Sequence, residues 1–391
     1  MPGGILGFDL QPRTRIVYGL GVLERLGELT RELPARRVLV VTDPGIAAVG
    51  HLERALAILK AAGVTAAVFD RVRENPTTVD AAACLEAARG EGVEAFIGLG
   101  GGSSMDTAKG GNFLLTNGGR MQDYWGHGKA SRPLLPLIAV PTTSGTGSEC
   151  QSYALIADEA THQKMACGDP KAAARVALLD PGLTLSQPRG VTACTGIDAI
   201  AHAVETAVTR RRNEFSLLYS REAFRLTSGS FTRVLGEPSH LEARAAMHLG
   251  ASFAGIAIEQ SMLGAAHSAA NPLTARFNIV HGQAVGMMLP HVVRFNAEDP
   301  TAAAAYADLA VSAGLAPHGG DAWQASHALA DHLQSLLRAA GWPDSLAVLG
   351  VTEDSVPALA TGAAGQWTAN FNPRSVSAAD FQRLYRSALG V

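Results

Sequence analysis

At 391 residues, 47% hydrophobic and 17% charged, with a net charge of −3, the chain has the length for two globular domains and no basic excess. That balance removes the electrostatic basis for nucleic acid or an anionic membrane as a partner, leaving small molecules and further copies of the chain. Cys84, Cys150, Cys167 and Cys194 form no CxxC pair, which speaks against a disulfide framework or zinc–thiolate site and for a reducing, cytoplasmic compartment.

The opening MPGGILGFDL has neither a basic stretch nor a long apolar one, and no later segment approaches the roughly 18 apolar residues of a membrane span. From residue 37 onward, short β-branched runs alternate with amphipathic Ala/Leu-rich stretches. VLVVT (38–42), AAVF (66–69), AFIGLG (95–100) and LIAVP (137–141) are the strand candidates, with HLERALAILKAAG and TVDAAACLEAARGEG as helices between them. This spacing predicts βαβ units, hence a largely parallel sheet covered on both faces. Beyond DPGL (180–183) the texture changes to long Ala-rich segments broken by Gly and Pro. We therefore expect an α/β domain over residues 1–183 and an all-helical domain over 184–391.

Three segments carry the chemistry. GGGSSMDTAK (100–109) runs from a predicted strand straight into a predicted helix. Such a turn offers bare N–H groups and a helix dipole to a pyrophosphate, although it departs from G-x-G-x-x-G and on its glycines alone reads more readily as an ordinary strand-to-helix turn. PTTSGTGSE (141–149) is a second polar loop at a strand end, where open α/β sheets bind ligands. Asp43 ends the strand VLVVT, placed either to accept hydrogen bonds from a ribose diol or to start the Asp-Pro-Gly turn. In GIDAIAHAVE (196–205), Asp198 and His202 stand four apart, so a helix stacks both on one face. With His267 and His281 they make one carboxylate and three imidazoles, a set that suits Fe(II) or Zn(II). Taken alone, the Asp/His pair also reads as a hydrogen-bonded surface pair, and His267 as a core or capping histidine.

These motifs, with KMACGDP (164–170), DPGLT (180–184), the His267 to His281 spacing and Asn372-Pro-Arg374, resemble the iron-containing (group III) alcohol dehydrogenases along nearly the whole chain. The resemblance implies a Rossmann-like α/β nucleotide domain followed by an all-α domain, in the dehydroquinate synthase-like architecture. It also implies a divalent metal, and hydride transfer between NAD(P) and a small alcohol or aldehyde. Carried over by position, it assigns Asp198, His202, His267 and His281 as metal ligands. Gly101, Gly102, Ser103 and Asp106 go to the pyrophosphate and nicotinamide ribose, and Thr142, Thr143 and Thr146 to the second cofactor loop. Lys164 goes to the ribose, while Asn75 and Leu183 match positions that touch the cofactor. Asp43 matches the acidic position that goes with NAD, NADP remaining open. The resemblance further implies a homodimer or larger homo-oligomer.

One departure concerns the reaction centre. Beside His267, where many members carry a further histidine four residues on, this chain has Asn271, which hydrogen-bonds but does not titrate near neutral pH. Trp125 and Phe253 are candidates for the substrate pocket or for packing, and His51, His127, His162, His248 and His291 read as structural or surface. The same architecture also serves glycerol dehydrogenase-like enzymes, other dehydroquinate synthase-fold enzymes, and a noncatalytic cofactor-binding protein.

Overall fold

The computed structural model describes residues 8–161 and 163–390; the readings of the first seven residues and of His162 lie outside them. The chain forms two compact units, Leu10–Gln187 and residues 188–390 together with Phe8 and Asp9. Phe8, expected in the α/β domain, instead has its ring 6.0 Å from that of Phe215 in the helical unit, an aromatic contact that accounts for its grouping there.

The α/β unit runs β1 (Arg15–Tyr18), α1 (Leu26–Glu32), β2 (Arg37–Val41), α2 (Pro44–Ala48), α3 (His51–Ala61), β3 (Thr65–Phe69) and α4 (Thr78–Glu91). It continues with β4 (Ala95–Gly100), α5 (Gly102–Asn117), β5 (Gly126–His127), β6 (Leu137–Pro141), β7 (Tyr153–Ala157), β8 (Lys164–Gly168) and β9 (Val176–Leu179). Six strands pair in the order β1-β9-β6-β4-β2-β3, all parallel. Successive residues along them point to opposite faces. Val38, Val40, Ile97 and Leu99 meet Leu26 of α1 and Leu59 of α3 on one side, while Leu39, Val41 and Phe96 meet Ala88 of α4 and Met105 of α5 on the other. Burial on both faces is why these strands read as continuous apolar runs rather than alternating ones.

The four strands expected from the sequence form the centre and one edge of this sheet. β1 and β9 went unrecognised because each has four residues, too few for periodicity to register. A second, three-stranded sheet, β5-β8-β7, was also missed; its main pairing is the antiparallel match of Tyr153–Ala157 with Lys164–Gly168.

The second unit holds α6 (Arg189–Thr206), α7 (Glu214–Gly236), α8 (Leu241–Gln260), α9 (Ala265–Phe277), α10 (His281–Asn296), α11 (Pro300–Ser312), α12 (Ala322–Ala340), α13 (Val356–Ala364) and α14 (Ala378–Leu389). One apolar core joins them, from Ala193 to Leu389. Small residues set how closely α6 meets its neighbours. A Cβ added at Gly196 would stand 2.8 Å from the Phe231 ring, one at Gly286 2.5 Å from Ile197 Cγ2, and one at Gly282 2.0 Å from the Cys194 carbonyl oxygen.

Candidate functional site

In the α/β unit, β2 and β4 are neighbours whose chain continuations diverge, β2 toward β3 and β4 toward β6. Ligands bind such sheets at the carboxyl ends of the strands beside this reversal. Asp43 follows β2 there, and the glycine turn follows β4. Asp43 Oδ1 accepts from the N–H groups of Gly45 (2.9 Å) and Ile46 (3.1 Å) and caps α2. Its Oδ2 lies 3.2 Å from where a Cβ on Gly100 would stand. The capping role and the loop-facing role thus belong to different oxygens of one carboxylate.

The second polar loop packs directly on the first. Thr142 N–H donates to the Gly100 carbonyl at 2.9 Å. A Cβ on Gly101 would meet Thr143 Cγ2 at an ordinary 3.4 Å, whereas one on Gly102 would meet Thr146 Oγ1 at 2.7 Å, so the close approach favours glycine at 102. Gly102 opens α5 and Ser103 follows it half-buried, which leaves the first N–H groups of a sixteen-residue helix facing this turn. The hydroxyls of Thr42, Ser104, Thr107 and Thr142 are buried there without a hydrogen-bond partner. Unpaired buried hydroxyls are costly in a finished core and are a ligand's natural partners.

Asp106, one turn into α5, accepts from Ser148 Oγ at 2.9 Å. Its burial raises its pKa, an effect that Lys109 opposes. Lys109 ends the GGGSSMDTAK motif, whose sequence alone suggests no role for it. It is 1% exposed, and its Nζ donates to the carbonyls of Ser148, Gln151 and Tyr153 at 2.7–2.9 Å. It therefore ties the segment after the second loop to α5. Lys164, at the start of β8, is near enough to favour ionised Asp106. Asn75 is exposed in the left-handed region (φ 53°) just before Pro76, whose carbonyl accepts from Ala157 N–H at 2.9 Å. Leu183 is buried in the core of one sheet face, its N–H donating to the Asp180 carbonyl and its own carbonyl accepting from Ser186 Oγ, both at 3.1 Å.

In the helical unit, α6 presents Asp198 and His202 on one face, α9 brings His267 in its first turn, and α10 begins at His281. Asp198 Oδ1 is the meeting point: Nε2 of His267 lies 3.3 Å away, that of His202 3.4 Å and that of His281 3.8 Å. Ligand atoms of Asp198, His267 and His281 all fall within 4.8 Å of one another. His202 stands beside that trio with its ring stacked on His267 at 4.9 Å. Asp198 Oδ1 and His267 Nε2 are buried and make no aligned hydrogen bond. A carboxylate oxygen and imidazole nitrogens converging without mutual hydrogen bonds, and without thiolates, fit a borderline divalent cation such as Fe(II) or Zn(II).

Burial works against the Asp198 charge, but the surrounding imidazoles, His202 foremost, hold its pKa well below the ordinary carboxylate range. Burial likewise disfavours the His267 cation, yet Glu205 and Asp198 prevail and raise it to about 9. The local field favours positive charge at this point. Glu205 ends GIDAIAHAVE, and nothing in the spacing of that segment points to its partner. Its Oε2 lies 2.5 Å from His267 Nδ1. Asn271, one turn beyond His267, donates from Nδ2 to Gln366 Oε1 at 2.9 Å. Phe253 packs edge-on against Tyr219 at 5.2 Å, and Trp125 is exposed.

A doubly covered parallel sheet with a glycine turn at its switch point, followed in one chain by a helical unit bearing a carboxylate–imidazole cluster, defines a nucleotide-dependent enzyme of the dehydroquinate synthase-like fold. Residues 12–181 match the iron-containing alcohol dehydrogenase family, and residues 192–389 match the C-terminal part of the Fe-containing alcohol dehydrogenase family. The chain belongs to the iron-containing alcohol dehydrogenase family. It is similar to the NAD-dependent methanol dehydrogenase of Bacillus methanolicus, 30% identical over 95% of this chain and 97% of that protein. It is 34% identical to the 4-hydroxybutyrate dehydrogenase of Cupriavidus necator over 96% of this chain and 98% of the relative. The crystal structure of a 1,3-propanediol oxidoreductase superposes with a TM-score of 0.94 at 30% identity, covering 98% of this chain and all of the other. The protein is thus an oxidoreductase acting on CH–OH groups, moving hydride between a nicotinamide dinucleotide and a small alcohol or aldehyde. Among the described residues, no helix is long and apolar enough to cross a membrane.

Proposed function

We propose that this alcohol dehydrogenase holds one divalent metal, Fe(II) with Zn(II) as the alternative, on Asp198, His202, His267 and His281. The observation that carries this reading is the convergence of three imidazole nitrogens within 3.3–3.8 Å of one buried carboxylate oxygen. When bound, the metal supplies Lewis acidity that lowers the pKa of an alcohol or polarises an aldehyde carbonyl. The chain's own residues supply binding, orientation and charge.

The N–H groups at Gly101, Gly102 and Ser103, with the dipole of α5, receive the pyrophosphate. Thr142, Thr143 and Thr146 offer hydroxyls beside it, while Asp106 and Lys164 serve the nicotinamide ribose. Asn75 and Leu183 complete the cofactor contacts. The loop-facing oxygen of Asp43 accepts from a ribose 2′-hydroxyl and repels a 2′-phosphate, which favours NAD over NADP. Asn271, held by Gln366, orients a water beside His267 but does not itself change protonation near neutral pH.

The substrate class is a small primary alcohol, diol or hydroxyacid and its aldehyde, as the names of the relatives suggest. A cytoplasmic location and a homo-oligomeric assembly, a dimer at least, belong to the same reading. Cys84, Cys150 and Cys167, buried and in no disulfide among the described residues, support the first, and the family resemblance supports the second. The deciding experiment is anaerobic purification with elemental analysis, followed by NADH and NADPH oxidation on an aldehyde panel. One equivalent of metal per chain and faster turnover with NADH are expected; full activity without stoichiometric metal overturns the reading.

A further inference from the structure

The helix that carries His267 begins in an unusual way. Gly264, at the N-cap of α9, has no side chain to satisfy the first N–H groups of the helix. Two residues from elsewhere do so instead. Asn372 Oδ1 accepts from Ala265 N–H at 3.3 Å, and Glu205 Oε1 accepts from Ala266 N–H at 2.7 Å. Gly264 is what lets them approach, since a Cβ there would stand 3.1 Å from Asn372 Oδ1 and 3.2 Å from Glu205 Oε1. Asn372 is fixed in turn by a reciprocal amide pair with Asn296, at 3.1 and 2.8 Å, and Asn296 also donates to Tyr306 Oη at 3.1 Å.

Glu205 is 2% exposed, and both its oxygens are engaged by the same turn of α9, one by the Ala266 N–H and the other by His267 Nδ1 at 2.5 Å. A carboxylate only accepts, so Nδ1 carries hydrogen and the lone pair of the neutral ring sits on Nε2, the atom facing Asp198. Because Glu205 lies one turn beyond His202, a single helix supplies two candidate ligands and the carboxylate that aims a third.

We propose that Glu205 is the positioning residue of the metal centre, docking the N-terminus of α9 onto α6 and fixing the His267 tautomer with Nε2 toward the ion, with Asn372 as its companion cap. The inference rests on the metal-site reading above. Glutamine at 205 keeps the shape but has a single acceptor oxygen for two N–H donors. Either its NH2 faces the Ala266 N–H, or it donates to Nδ1 and moves the ring hydrogen to Nε2.

The test is calorimetric titration of the full-length, metal-free enzyme with Co2+, together with the visible spectrum of the cobalt form, for wild type and Glu205→Gln. Loss of such an outer-shell carboxylate weakens metal binding by about 10- to 100-fold. We expect that loss with an altered cobalt spectrum, while the metal-free variant keeps its far-UV circular dichroism. A variant that melts earlier yet binds Co2+ as tightly as wild type would reduce Glu205 to a helix cap and overturn the proposal. Failure of wild type itself to bind Co2+ would instead sink the underlying metal reading. If the variant does not fold, 15N-histidine NMR of the Zn2+-loaded wild type decides: hydrogen on Nδ1 of His267 is expected, and hydrogen on Nε2 refutes the assignment.

Discussion

Gly282→Ala is the substitution that most directly tests how the candidate metal centre is assembled. Gly282 follows His281 at the start of α10, and a Cβ there would stand 2.0 Å from the Cys194 carbonyl oxygen and 2.7 Å from its carbon. Both are backbone atoms of α6, one turn before Asp198, so no side chain can swing aside. Restoring an ordinary contact of 3.4 Å needs the helices to part by about 1.4 Å, a strain of about 1–3 kcal/mol. His281 Nε2 already lies 3.8 Å from Asp198 Oδ1. Two donors each about 2.0–2.2 Å from one ion can be at most about 4.4 Å apart. A parting along that direction carries the pair beyond this limit, so His281 leaves the ligand set. Misplacement of about 1 Å costs on the order of 100-fold in rate, and we expect at least that loss in aldehyde reduction together with substoichiometric metal by elemental analysis. Gly190→Ala is the control: it lies on the same α6, where an added Cβ meets nothing within 4 Å, and it should leave metal content unchanged. A Gly282→Ala enzyme with full metal and wild-type turnover would refute the reasoning.

Two further substitutions probe the rest of the molecule. Thr142→Val replaces a buried hydroxyl without a hydrogen-bond partner by a methyl group of similar size. The ligand-free protein should gain on the order of 1 kcal/mol in urea denaturation while NADH affinity, read by fluorescence, falls by about tenfold. Unchanged NADH binding would return Thr142 to a packing role. His291→Gln addresses acid stability, because burial, aided by Arg294, pushes the His291 pKa down to about 4 from the ordinary 6.5. Between those values the unfolded chain takes up a proton that the folded one does not, so the contribution is complete above pH 6.5 and is lost as pH falls toward 4. The slope is at most about 1.4 kcal/mol per pH unit. Wild type should therefore lose more stability than the variant between pH 7 and 5, and parallel curves would contradict this origin.

What the sequence could show depended on the range of the interaction. The Asp198/His202 pair and the glycine turn after β4 are local, each defined by neighbours within a few residues, so spacing alone placed them on a helix face and at a strand end. The partners that orient them are remote. Glu205 holds a histidine 62 residues away, Asn271 bonds Gln366 at a separation of 95, and Lys109 reaches carbonyls 39 to 44 residues on. Each of these residues stands in or beside a segment that carries the chemistry, but only packing reveals what it touches. Gly282 is similar, visible beside His281 yet explained by a carbonyl in another helix.

The same distinction applies to charge at the candidate metal centre. In the sequence, Asp198 and Glu205 are two acids on an Ala-rich helix, where water would solvate them at little cost. Folding buries both carboxylates, and the ion pairs they make among the described residues are with histidines rather than with Lys or Arg. Buried carboxylates without a permanent cation are expensive, and an imidazole compensates only while it holds an extra proton, which is why His267 is driven to about 9. A divalent ion meets the same demand with the imidazoles neutral, so binding should release protons. The folded site therefore favours a positive charge, a preference that neither the Asp/His spacing nor the composition of the helix makes visible.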